Sequence, residues 1–155
     1  MKEELKDIIG KHIVYTYGDL GKYEAYYQSE DVVVYAIHGG PMKGRYNYVK
    51  AYYQKIRDNL FNVSWVEETG TIVTTTVDLD QKRVHGFIAF SQGHWENNED
   101  AHGDKRNMKD LERWRKLSKI GDHTTRHIHL DEAHIIDIFE GPGDLKQVTN
   151  DMLFF

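Results

Sequence analysis

The sequence predicts a mainly β protein, an antiparallel up-and-down β-barrel with a short N-terminal helix and one longer helix near residues 105 to 120. Three observations predict it. From Lys11 to about residue 90, segments rich in Tyr, Val, Ile and Thr alternate with turn residues at the spacing of short strands. The connections between them, such as Gly18-Asp19-Leu20-Gly21, Asp58-Asn59 and residues 78 to 81, are as short as antiparallel neighbours require. Finally, seven or more consecutive strands must protect their edges, and closure into a barrel does so completely. Two packed sheets would give the same alternation, so a sandwich is the alternative architecture.

Taken in order, residues 2 to 9 place Leu5, Ile8 and Ile9 among charges, an amphipathic helix ended by Gly10. Strands are expected at about 11 to 17, 22 to 28, 31 to 38, 45 to 56, 60 to 67, 71 to 78 and 83 to 90. The polar run from Ser91 to Gly103, with Asn97-Asn98-Glu99-Asp100, reads as a loop. Met108, Leu111, Trp114 and Leu117 recur every three residues and mark the helix at 105 to 120, with Gly121 as its C-cap. A last strand runs from about Arg126 to Phe139 and stops at Gly141-Pro142-Gly143. The tail ending Met152-Leu153-Phe154-Phe155 is expected to dock on the body or on another subunit.

A chain of 155 residues is the length of one domain, here taken as residues 1–155. Net charge is -5, which gives no electrostatic footprint for nucleic acid or an anionic membrane, so small ligands or proteins are the expected partners. There is no cysteine, which excludes disulfides, thiolate nucleophiles, iron-sulfur clusters and Cys-type zinc sites. Residues 1 to 10 lack the apolar core of a signal peptide and no run reaches transmembrane length, so a cytoplasmic location is expected.

Strand alternation also locates candidate chemistry. Residues two apart share a face, so Ile13, Tyr15 and Tyr17 point one way, and Glu67 shares the face of Val63 and Trp65, while Ser64, Val66 and Glu68 face away. A carboxyl among apolar neighbours has its charged form disfavoured unless a cation such as Arg45 restores it. Read alone, Glu67 has a plain alternative: a strand end near water, or a buried partner of Arg45 with no chemical task. Nine histidines invite a metal test as well. Gly121 and His127-Ile128-His129 partly match the cupin metal motif, but Glu132 comes too soon and His134 would have to substitute, so no metal site is expected.

Tyr15-Thr16-Tyr17, Tyr23-Glu24, Ile37-His38-Gly39-Gly40, Gly44-Arg45, Ser64-Trp65-Val66-Glu67 with Thr69-Gly70-Thr71, and His85-Gly86-Phe87-Ile88-Ala89-Phe90 together resemble the phenolic acid decarboxylases over residues 9 to 90. The resemblance implies a lipocalin-like barrel, usually a homodimer, that decarboxylates 4-hydroxycinnamic acids (p-coumarate, ferulate, caffeate) to 4-vinylphenols through a quinone methide, with no cofactor. It implies Glu67, Arg45, Tyr15 and Tyr17 as the catalytic group, with Tyr23, Ile37, Thr69, Trp65 and His85 around the substrate. Three positions depart from the family pattern. Leu20-Gly21 replaces a tryptophan, Tyr46 stands for the tryptophan after the arginine, and Glu68 for the proline after the glutamate; the segment after Phe90 differs altogether. The same barrel could instead carry a small aromatic acid, with Arg45 pairing its carboxylate and Glu67 merely balancing the arginine.

Overall fold

In the computed structural model, which describes residues 2–152, ten strands form one sheet. They are β1 (Lys11–Tyr17), β2 (Gly21–Ser29), β3 (Val32–Ile37), β4 (Arg45–Lys50), β5 (Tyr52–Arg57), β6 (Leu60–Val66), β7 (Ile72–Asp78), β8 (Arg83–Ser91), β9 (Gly103–Asp104) and β10 (Arg126–Glu140). Their order is β5-β6-β7-β8-β10-β1-β2-β3-β4-β9, and every pairing is antiparallel except that of the two-residue β9 with β4. The chain thus makes two four-stranded meanders, β1 to β4 and β5 to β8. The fifteen-residue β10 joins them, pairing with β8 along its first part and with β1 along its last.

The mainly β, antiparallel expectation holds, but among the described residues the ladder runs from β5 to β9 without pairing its two ends, so the sheet is not closed into a barrel. The strands at the two ends of the meanders, β4 and β5, are consecutive in the chain and separated by Ala51 alone. One run from 45 to 57 therefore pairs with β3 through its first half and with β6 through its second. The predicted single strand at 45 to 56 divides because buried Ala51 turns its N–H to Asp31 O, at 2.8 Å.

Inside the sheet, Ile13, Val33, Val49, Phe61, Val63 and Val77 are fully or almost fully buried, each stabilising the fold by about 1.5–3 kcal/mol. A second apolar cluster lies elsewhere, joining Tyr26, Val34, Ala36 and Tyr48 to Leu145 of the C-terminal segment. Val148 and Met152 pack on it, and the Gln28 amide donates to Val148 O and accepts from Val148 N–H. Docking of the tail is realised to Met152; Leu153, Phe154 and Phe155 lie outside the described residues.

Helical expectations need correction. The N-terminal helix is only a 3-10 turn at Glu3–Leu5, long enough to bury Leu5 before Gly10 turns the chain with φ 91°. The expected loop after Ser91 folds into a short helix α1 (Gln92–Glu96) and a 3-10 turn at Asn98–Ala101. Ser91 explains the start, since its Oγ accepts from His94 N–H as an N-cap. Helix α2 spans Met108–Leu117, three residues shorter at each end than expected; Leu111, Trp114 and Leu117 are buried, whereas Met108 is exposed. Among the described residues, no helix is long and apolar enough to cross a membrane.

Candidate active site

Alternation along β1 turns Tyr15 and Tyr17 inward, and β2 brings Tyr23 beside them. The three rings pack with centroids 5.2 to 5.8 Å apart. Tyr17 leans so closely on β8 that a Cβ at Gly86 would lie 2.7 Å from its hydroxyl oxygen, which accounts for glycine there. Burial, first among the causes, pushes all three phenol pKa values upward, so the hydroxyls stay protonated. None of the three hydroxyls makes a hydrogen bond among the described residues.

Across from them stands a buried ionic centre. Arg45 opens β4 and Glu67 follows β6, in a turn held by Gly70 N–H donating to Glu67 O at 2.9 Å. Arg45 Nη2 donates to Glu67 Oε2 at 2.8 Å. Tyr35 and Trp65 donate to the other carboxylate oxygen at 2.5 and 3.1 Å. Arg45 also donates to the Tyr35 hydroxyl, through Nε at 3.2 Å, and to Ala101 O, through Nη1 at 2.9 Å, and its guanidinium lies 3.9 Å from the Trp114 ring centroid. Burial raises the Glu67 pKa, but the guanidinium and the two hydrogen bonds outweigh it, so the carboxyl is held below its usual range and rests ionised. Alternation finds Glu67 on the face of Val63 and Trp65, as expected.

Glu68 contradicts the alternation that sent it outward. It lies past the end of β6, where the turn breaks the period of two, and it is buried. Lys105 Nζ meets its Oε1 at 2.5 Å and Asn47 Nδ2 donates to its Oε2 at 3.1 Å. Arg45 stands 3.7 Å from the same carboxylate, so two acids and two cations balance out of water.

His94, from α1, completes the wall and is 2% exposed. The hydroxyls of Thr69 and Thr71 lie 2.9 and 2.7 Å from Nδ1, while Nε2 faces the Met42 sulfur at 3.2 Å. Burial, reinforced by Arg45, drives its pKa down to about 3, so the ring is neutral.

The three tyrosines, Tyr35, Arg45, Trp65, Glu67 and His94 line one narrow cavity. Its remaining walls are mostly apolar, including Ile37, Val73, Ile88 and Phe90. Against this geometry, the sequence model of one protein family, phenolic acid decarboxylase, matches residues 5–139.

The chain belongs to the phenolic acid decarboxylase family.

It is 34% identical over 87 residues to phenolic acid decarboxylase PadC of Bacillus subtilis, covering 56% of this chain and 54% of that protein. It is 33% identical over 92 residues to "Probable phenolic acid decarboxylase" of Vibrio cholerae serotype O1, covering 57% and 52% respectively. The chain spans about half the length of the curated relatives it matches. A solved structure named "putative beta-lactamase", from Burkholderia vietnamiensis, superposes with a TM-score of 0.56 at 16% identity over 83% of this chain and 92% of that one, a likeness of fold alone.

Within this phenolic acid decarboxylase fold, Glu67, Arg45, Tyr15, Tyr17, Tyr23, Ile37 and Trp65 converge on the cavity. Two expected residues do not. His85 lies on the outer face of β8, exposed, because it is one residue out of phase with inward-facing Val84 and Gly86. Thr69 is buried behind the wall, bonded to His94. Sequence reasoning missed Tyr35, although it shares the face of Val33 and Ile37 on β3 and that signal was present. It also missed His94 and Lys105, which no periodicity marks.

The histidines weighed as metal ligands do not converge. His127 stacks on Trp95 with ring centroids 3.6 Å apart, and the one group of donor atoms close enough for an ion among the described residues is Asp19, His129 and Asp131, without His127 or His134.

Proposed function

We propose that this family member is a non-oxidative decarboxylase of 4-hydroxycinnamic acids, such as p-coumarate, ferulate and caffeate, releasing 4-vinylphenols and carbon dioxide without a cofactor. The observation that carries the reading is the buried Arg45–Glu67 pair set in a cavity edged by three protonated tyrosines. Direct loss of carbon dioxide from the double bond would leave a vinyl anion. The para-hydroxyl offers another route.

As the phenol releases its proton, the carbon alpha to the carboxylate gains one, giving a quinone methide. The bond to the carboxylate then breaks, its electron pair restores the aromatic ring, and the vinylphenolate takes up a proton. In sum, hydroxycinnamate plus one proton gives vinylphenol plus carbon dioxide. Glu67 is the acid that protonates the carbon. Because it rests ionised, it takes up that proton with substrate binding and ends the cycle as a carboxylate again. Arg45, fixed by Tyr35, Ala101 and Trp114, keeps Glu67 placed, while Tyr15 and Tyr17 orient one polar end of the substrate by hydrogen bonds.

We extend the reading to a homodimer. The exposed side chains of Val66, Ile72 and Ile128, and of Phe87 and Leu130, fall in adjacent rows of the same outer surface, which supports a face for a second copy.

Incubation with p-coumarate tests the reaction. Turnover removes the cinnamate ultraviolet band and evolves carbon dioxide, whereas a carrier protein would only shift the band. Glu67→Gln is expected to abolish turnover with binding retained, and 4-methoxycinnamate to bind without reacting; unchanged turnover in Glu67→Gln would reject the assignment.

A further inference from the structure

We infer that His94 seats the carboxylate of the substrate, donating from Nε2 beside Glu67, while the three tyrosines receive the phenol end. The inference rests on the decarboxylase reading above and gives it an orientation and a residue that nothing in the family comparison assigns.

Hydrogen-bond bookkeeping points to one tautomer. Thr71 Oγ1 accepts Ser91 N–H at 3.1 Å and lies 2.7 Å from Nδ1. The Thr69 hydroxyl stands 2.9 Å from the same nitrogen. Among the described residues neither hydroxyl has another acceptor for its own hydrogen, so donation to Nδ1 favours the ring proton on Nε2. Among the described residues it meets there the Met42 thioether alone, a weak acceptor, on a ring that lines the cavity. A donor with so poor an acceptor, on a cavity wall, is placed for an oxygen.

Arg45 is already engaged: Nε, Nη1 and Nη2 each donate one N–H, to Tyr35, Ala101 and Glu67, and Glu67 balances its charge. A second carboxylate in this cavity gains from a further donor, and a neutral one holds it without adding charge. Seating a carboxylate there also supplies the proton that the chemistry needs. Two like charges side by side cannot both persist in a low-dielectric cavity, so Glu67 draws one proton from solvent on binding. Glu67 then forms the C–H bond at the carbon next to the carboxylate as the phenol O–H breaks and its proton passes to solvent. The C–CO₂ bond breaks in turn, its electrons return to the ring, the phenolate is reprotonated by solvent, and Glu67 is left ionised. The balance is one proton consumed per carbon dioxide released. Phenols suit the other end, because each can donate to, or accept from, an oxygen that changes from hydroxyl to carbonyl and back.

Two unreactive half-substrates test this on the full chain. Cinnamate carries the carboxylate without the phenol, and 4-vinylphenol the phenol without the carboxylate. Dissociation constants are measured by calorimetry for the wild type, His94→Phe and His94→Gln. Loss of a hydrogen bond to a charged group predicts that His94→Phe weakens cinnamate by about tenfold or more and 4-vinylphenol by less than about threefold. His94→Gln, which can accept from a threonine and donate to the ligand, is expected to keep both within about threefold. Equal weakening of the two ligands, selective loss of 4-vinylphenol, or no change overturns the inference. Nitrogen-15 NMR of the wild-type imidazoles needs no folded variant: the Nε2–H tautomer at His94, shifted by cinnamate and not by 4-vinylphenol, supports it, and the opposite tautomer or no response sinks it. A wild type that turns over p-coumarate but fails these arms loses only the role of His94. One that neither turns over p-coumarate nor binds cinnamate loses the decarboxylase reading as well.

Discussion

The Tyr35 hydroxyl donates to Glu67 Oε1 at 2.5 Å while itself accepting from Arg45 Nε at 3.2 Å. The phenol thus bridges the two members of the ion pair, and Asn47 Nδ2 at 3.1 Å fixes it from a third side. Removing the bridge should loosen the carboxylate without removing it.

For Tyr35→Phe we therefore expect an upward shift in the Glu67 pKa, because a hydrogen bond to its charged form is lost. Turnover should fall about ten- to a hundredfold, and the alkaline limb, where Glu67 loses the proton it must donate, should move to higher pH. A pH profile of kcat/KM checks this; a limb in its original place would remove Tyr35 from the control of Glu67.

Lys105→Met leaves buried Glu68 facing Arg45 without its nearest cation. Breaking one side of a buried pair costs about 3–5 kcal/mol. Urea denaturation should show that loss, and adding Glu68→Gln should recover most of it. If the single variant is as stable as the wild type, the pair does not compensate the departure from proline at that position.

Acid should destabilise the protein from below the ordinary histidine range. In the unfolded chain His94 takes a proton at its usual value of 6.5, whereas folded His94 refuses one down to about 3. The stability is complete above 6.5 and is lost as pH falls toward 3, at about 1.4 kcal/mol per pH unit, or about 2 kcal/mol by pH 5. Glu67, also held below its ordinary value, adds a loss in the same direction at lower pH. Urea midpoints between pH 7.5 and 5 should show the slope, and His94→Gln should flatten it.

Gly86→Ala places a methyl group against the Tyr17 hydroxyl. Overpacking of this kind costs about 1–3 kcal/mol. Pairing it with Tyr17→Phe removes the closest atom and should restore stability but not turnover, which thermal melts and the p-coumarate assay read separately.

Leu130→Glu puts a charge into the outer apolar rows, where Leu130 is 71% exposed. The expected result is a monomer by light scattering with turnover per chain retained. A monomeric wild type would discard the homodimer.

Much of the site was legible because strands state their faces in the sequence. Tyr15, Tyr17, Trp65 and Glu67 followed from a period of two, and β1 was bounded at 11 to 17 as found. That rule fails where a strand ends. Glu68 was sent outward because the alternation was carried past Val66, and His85 was given a role by its motif when its phase on β8 pointed it to solvent. His94, Lys105 and Trp114 belong to segments whose partners are distant in sequence, so no local pattern announces that they meet Thr71, Glu68 and Arg45. The helix at α1 was hidden for a related reason. Its polar composition resembles a loop, and only the Ser91 cap marks its start.

The run from 45 to 57 carries a consequence for assembly. Cutting it at Ala51 would put Arg45 and the tyrosine trio on one fragment and Glu67, Trp65 and His94 on the other. Neither fragment holds the Arg45–Glu67 pair or a complete cavity, so the candidate site is a clasp that exists only after the halves have met. On the proposed reading, turnover thereby reports on correct folding, and a half-assembled chain would have no means of acting on its substrate.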